Sequence, residues 1–138
     1  MDKNQPKTSI REILHTADEE IEVSGSSIDQ LFFNAANGMF LLMGIVKKNR
    51  MLGKEKISLE ENDLESLLVT FLNEIIYFVE QKKFPVNLKV SIKDQQLECT
   101  FNVVPVISIL REIKAVTFHH VKIRQIRNQF RTQVVFDI

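Results

Sequence analysis

Cysteine is almost missing from this 138-residue chain. Cys99 stands alone, so no disulfide can form within it, and one Cys with three His matches none of the usual zinc-ligand spacings. Tryptophan is absent, and ten Phe are left to fill the core. Glycine occurs only at positions 25, 38, 44 and 53 and never in a phosphate-cradling loop. Neither sign of charge is in surplus: 18 Lys and Arg balance 18 Asp and Glu. That argues against broad non-specific nucleic-acid binding, which relies on excess positive charge. The apolar runs are too short and interrupted to span a bilayer, and the first nine residues lack the apolar core of a secretion signal. A soluble, cytoplasmic protein with no membrane partner is expected. No nucleophile, oxyanion donors and second base stand at useful spacing, which favours a binding or activating protein over an enzyme.

What is present suffices for one compact domain, since 44% of the residues are hydrophobic. Residues 1–9 read as a flexible lead-in and 10–138 as a single domain. Strands are expected over 10–15 and 20–24, with a break at Gly25. Ser27, with Gln30 three residues on, predicts a capping box. Ile28, Leu31, Phe32, Ala35, Met39, Phe40 and Met43 then give one apolar helical face, and Gly44 is its stop. A basic loop over 47–53 and a short strand over 57–59 follow. Asn62 as cap and Glu65 three residues later predict a second helix with a core stripe from Leu64 to Phe78, ended by Pro85. The alternation Val86, Leu88, Val90, Ile92 and its return Leu97, Cys99, Phe101, Val103 predict a hairpin turning at Asp94-Gln95. Residues 105–109 fit no element, and a last hairpin joins 113–123 to 130–138 around Arg127-Asn128. The expected architecture is α+β, in two layers: a mixed or antiparallel β-sheet with the two amphipathic helices packed on one face.

Charge is unevenly placed. Asp18, Glu19, Glu20 and Glu22 cluster near the start, whereas Arg111, Lys114, Lys122, Arg124, Arg127 and Arg131 face only Glu112 over 111–131. Such a dipolar surface orients a protein toward a partner. It also leaves open an RNA-binding or chaperone-like module acting through the basic 111–131 region. At the far end, period-two alternation puts Thr132, Val134, Phe136 and Ile138 on one face and Arg131, Gln133, Val135 and Asp137 on the other. Asp137 therefore points away from the Phe136 side, where an unpaired carboxylate is costly to bury. If the two ends of the chain meet, Asp18, Asp137 and a main-chain or terminal oxygen of Ile138 make a hard-cation site, with calcium the best fit and magnesium or manganese as alternatives.

Four pieces carry a resemblance to a known family: His15-Thr16-Ala17-Asp18, the run from Asp63 to Glu74, the run from Glu112 to His119, and the final Phe136-Asp137-Ile138. In that order, and over roughly residues 10–138, the chain resembles archease, the activator of the GTP-dependent tRNA-splicing RNA ligase. The resemblance implies a tRNA-processing role: promoting guanylylation of the ligase and its multiple turnover, with RNA contacted only through the ligase. It implies a divalent metal at Asp18, Asp137 and Ile138, calcium being favoured. Lys114 is implicated in activation, and a contact role is added for Asp63, which the sequence otherwise explains by its place near a helix start. His15 either fixes the Thr16–Asp18 stretch by hydrogen bonding or is a structural histidine at a strand end. Two departures stand out. Glu19-Glu20 replaces the apolar residue and Gly that usually follow the His-Thr-Ala-Asp motif, and the segment between Phe101 and Arg111 lacks the usual Gly-rich polar character.

Overall fold

The computed structural model describes residues 18–138. The lead-in over 1–9 and the strand expected over 10–15 lie outside the described residues. From Asp18 the chain forms β1 (Asp18–Gly25), α1 (Ile28–Met43), β2 (Ile45–Lys47), β3 (Gly53–Glu60), α2 (Leu64–Glu80), β4 (Lys83–Lys93), β5 (Gln96–Ile109), β6 (Ala115–Thr117), β7 (Arg124–Ile126) and β8 (Gln129–Asp137). The class is α+β, as expected. The strands, however, divide into two four-stranded sheets rather than one, and every pairing between described strands is antiparallel.

In the first sheet β8 lies between β1 and β6 and also pairs with β7; in the second, β5 pairs with β2, β3 and β4. β5 is long enough to hold β3 along Gln96–Val103 and β2 along Val106–Ile109. That places residues 105–109, which no sequence pattern resolved, as the continuation of one strand. The predicted Asp94-Gln95 turn joins β4 to β5, with both residues at positive φ (53° and 64°), as a two-residue primed hairpin demands. Pro85 does not end the second helix, which stops at Glu80 with Gln81 as its cap. Pro85 is instead buried within β4, whose only described strand partner is β5, and an outer strand tolerates a missing ladder donor.

Both helices cap by side-chain chemistry. Ser27 Oγ accepts from the Gln30 N–H at 3.1 Å, but the Gln30 side chain turns to Asn34 (3.0 Å) instead of completing a box. In α2 the cap is Asp63, one residue later than expected: its Oδ1 accepts from the Ser66 N–H at 2.7 Å. Gly44 closes α1 in the left-handed conformation (φ 59°, ψ 56°), where a glycine carries no Cβ penalty. Gly25 answers a different need, because a Cβ there would sit 2.5 Å from the Leu31 amide nitrogen of α1. Leu31, Phe32, Ala35 and Met39 of α1 and Leu67, Leu68, Phe71, Leu72 and Ile75 of α2 are fully buried. They meet Leu97, Cys99, Val134 and Phe136 from the two sheets in one core. Among the described residues, no helix is long and apolar enough to cross a membrane.

Candidate functional site

The two ends of the described chain meet. β1 pairs with β8 along its whole length, and the register sets Asp18 against Asp137, Glu20 against Val135 and Glu22 against Gln133. Residues directly opposite in an antiparallel pair share a face, with Cβ atoms about 5 Å apart. Asp18 and Asp137 therefore present two carboxylates side by side. The core side is set by Val134 and Phe136, both buried, so Asp137 lies on the outer face as its alternation predicts. Like charges directly opposite are unfavourable unless something of opposite sign sits between them. β6 continues the row by placing Ala115 against Asp137, and the Lys114 N–H donates to the Asp137 carbonyl at 2.8 Å. Lys114 is exposed at this same corner.

These residues suit a hard divalent cation. Both side chains offer oxygen only, the pair is accessible from solvent, and two adjacent carboxylates gain from a shared counter-ion. Among the described residues, no set of three His, Cys, Asp or Glu side chains is placed to hold an ion. Further ligands in this region would have to be main-chain oxygens, such as that of Ile138, or water. His15 lies outside the described residues.

Beside the carboxylate pair is a pocket of about 410 Å³ lined by Asp18, Glu19, Glu20, His119, His120 and Val135. His120 Nδ1 stands 3.3 Å from Glu20 Oε1. Phe118, two residues before His120, is 62% exposed. Sequence spacing gives no sign of this contact, because the partner of His120 lies 100 residues away. The signal that could have found it is the two-residue step from Asp18 to Glu20, which puts both on one strand face. Glu19 points the other way and meets Arg111 (3.6 Å).

The remaining predicted residues separate. Asp63 sits at the start of α2 as its cap, and the hydrogen bonds from Ser66, chiefly its backbone N–H, hold the carboxyl below the ordinary carboxylate range. Glu65, expected to complete a box with Asn62, instead accepts from the Ile123 N–H at 2.9 Å and ties α2 to the segment ahead of β7. The six bases over 111–131 do not form one stripe. Arg111 is paired with Glu19, Lys114 stands at the carboxylate corner, and Arg127 occupies the β7–β8 turn at φ 59°. Lys122, Arg124 and Arg131 gather in one pocket.

Residues 11–138 match the Archease protein family. The chain is 33% identical over 135 residues to the archease of Methanosarcina barkeri, covering 90% of this chain and 92% of that protein. It is 28% identical over 135 residues to the archease of Pyrobaculum neutrophilum, covering 90% and 91%. Its fold matches the crystal structure of a Thermotoga maritima archease, described as a possible chaperone, with a TM-score of 0.71, 26% identity and coverage of 90% and 93%. The chain belongs to the archease family.

Proposed function

We propose that this protein activates a GTP-dependent tRNA-splicing RNA ligase, promoting its guanylylation and its return to the active form over many turnovers, without joining RNA itself. The observation that supports this reading most directly is the β1–β8 register, which sets Asp18 against Asp137 at a corner where Lys114 is also held. In this reading Asp18, Asp137 and a main-chain oxygen of Ile138 hold a divalent cation, calcium by preference, because all are hard oxygen donors. The ion, when bound, supplies positive charge that offsets the facing carboxylates. The chain's own residues do the rest. β1 and β8 fix the two carboxylates in register, the Lys114 N–H anchors the Asp137 main chain, and the exposed Lys114 ammonium offers a cationic contact to phosphate or carboxylate groups of the ligase. Fixed charges on paired strands act without reorganising, which is what a partner's active site gains from them. In this reading the protein works in the cytoplasm, away from membranes.

The test measures guanylylated ligase over many turnovers with the Asp137→Ala protein. A loss of stimulation is expected, and stimulation equal to that of the unaltered protein refutes the role of that carboxylate. The alternative, direct RNA binding through the 111–131 bases, predicts a steep salt dependence of RNA binding in the absence of ligase.

A further inference from the structure

The outer face of the first sheet has a second pole. Along β8, Arg131 lies on the same face as Asp137 but six residues away, about 20 Å along the strand. Arg131 is directly opposite Arg124 of β7 and, on its other side, opposite Ser24 of β1. Two guanidinium groups thus project from facing positions of one antiparallel pair, an arrangement unfavourable in itself. Lys122 joins them: its N–H donates to Thr132 Oγ1 at 3.1 Å, which fixes the backbone just ahead of β7. The three cations line a pocket of about 280 Å³, together with Glu22 and His120. Glu22 is its single carboxylate, so the pocket is cationic. No described ion pair uses Lys122, Arg124 or Arg131.

From this geometry we infer that the Lys122–Arg124–Arg131 pocket is an anion site that binds the phosphate group of a nucleotide or of an RNA end. Guanidinium presents planar donor pairs matched to phosphate oxygens, and an anion between two facing arginines converts their repulsion into two attractions. The pocket volume suits a phosphate-bearing group rather than a length of duplex. Thr132, buried at 4% exposure, holds the floor: its hydroxyl accepts from the Lys122 N–H and donates to the Gln133 carbonyl. The site shares only His120 with the pocket beside the carboxylate corner, and the inference stands whether or not the ligase reading holds.

The experiment titrates the intact protein with inorganic phosphate, a nucleoside triphosphate, and a short single-stranded RNA with either a phosphate or a hydroxyl at its 5′ end, following backbone amide signals. Saturable shifts centred on β7 and on Arg131–Thr132 are expected for the phosphate-bearing probes, with inorganic phosphate competing. Arg124→Gln with Arg131→Gln should weaken binding at least tenfold, while Lys48→Gln with Arg50→Gln in the β2–β3 loop should not. Binding of the triphosphate and not the RNA assigns a nucleotide source, and preference for phosphorylated over hydroxyl RNA assigns an RNA end. Equal affinity of both variant pairs, equal binding of the two RNAs without competition by phosphate, or no saturable shift with any probe overturns the proposal. Each substituted position is exposed, and an unchanged amide spectrum away from the pocket shows that the variants remain folded.

Discussion

The two sheets are made in different ways: one is built around a local hairpin, the other on strands more than 100 residues apart. In the second sheet the central hairpin is local: β4 and β5 meet across a two-residue turn, and β5 alone supplies the partner for β2 and β3. Its outward rows are Lys54, Lys56 and Lys89 beside Asn102 and Thr100, a solvated face with a weak exposed ion pair between Lys56 and Glu98 (3.7 Å). The first sheet depends on closure between segments more than 100 residues apart, Asp18–Gly25 against Phe130–Asp137. Non-local pairing carries the larger loop-closure cost, and this sheet bears the facing carboxylates and the facing arginines. Both sheets bury side chains in the one core, and the candidate site lies where the distant segments are brought together.

Substitutions can break that contrast. Phe136→Ala in β8 and Phe101→Ala in β5 remove buried rings of equal size, at 0% and 3% exposure. Each should cost about 3–5 kcal/mol in urea unfolding. At equal folded fraction, the ligase stimulation proposed for this protein should be lost only in the Phe136 variant, because Phe136 neighbours Asp137 in the closure strand. Equal loss in both would erase the distinction. Next in size, Asp63→Ala removes the α2 cap and should lower the urea midpoint of unfolding by less than either ring deletion does. Because the folded carboxyl is held low, this stability is present above the unfolded carboxylate pKa of about 3.9 and is lost as pH falls through the lower folded value. A wild-type advantage undiminished at the acid end would contradict the cap assignment.

A smaller effect is expected at Cys99, where burial pushes the thiol up to about 11. A raised thiol pKa favours the folded state below the unfolded value of about 8.5 and loses that contribution as pH rises toward 11. Cys99 should therefore resist thiol reagents in the native protein at pH 8 and react at the rate of unfolding. Rapid native labelling would mean that this strand of the second sheet opens locally. Least of all, Lys56→Gln on the solvated face should shift stability by no more than about 0.5 kcal/mol.

Much of this arrangement is legible in the sequence because its signals are local. Ser27, Gly44 and Asp94-Gln95 mark element ends through their own backbone chemistry, and the alternation in β8 sets the outward direction of Asp137. The misreadings occur where two local signals compete or where a distant partner decides. Asn62 and Asp63 are both good caps, and Glu65, which favoured the former, is engaged by Ile123 instead. β3 runs over Gly53–Glu60, far longer than the three residues expected, because Lys54, Glu55 and Lys56 hide its alternation behind charge. The strand expected over 113–123 shrinks to Ala115–Thr117: the His119 N–H bonds Thr117 Oγ1, and His120 takes a positive φ of 63°, without a glycine or proline to announce the turn. Division into two sheets is invisible to periodicity, which assigns faces and not partners. The pairing of Arg124 with Arg131 needs register across a turn before it can be seen at all.

In the proposed reading, closure of β1 on β8 makes Asp18 and Asp137 one oxygen site for a hard cation. The most direct measurement compares thermal unfolding with excess calcium and with chelator, for the unaltered protein and for Asp18→Asn with Asp137→Asn. At calcium one hundred times its dissociation constant, the unaltered protein should gain about 2.7 kcal/mol. The double variant should gain nothing and, freed of the facing charges, should be at least as stable as the unaltered protein in chelator. An equal calcium response in both proteins, or none in the unaltered one, would contradict the account.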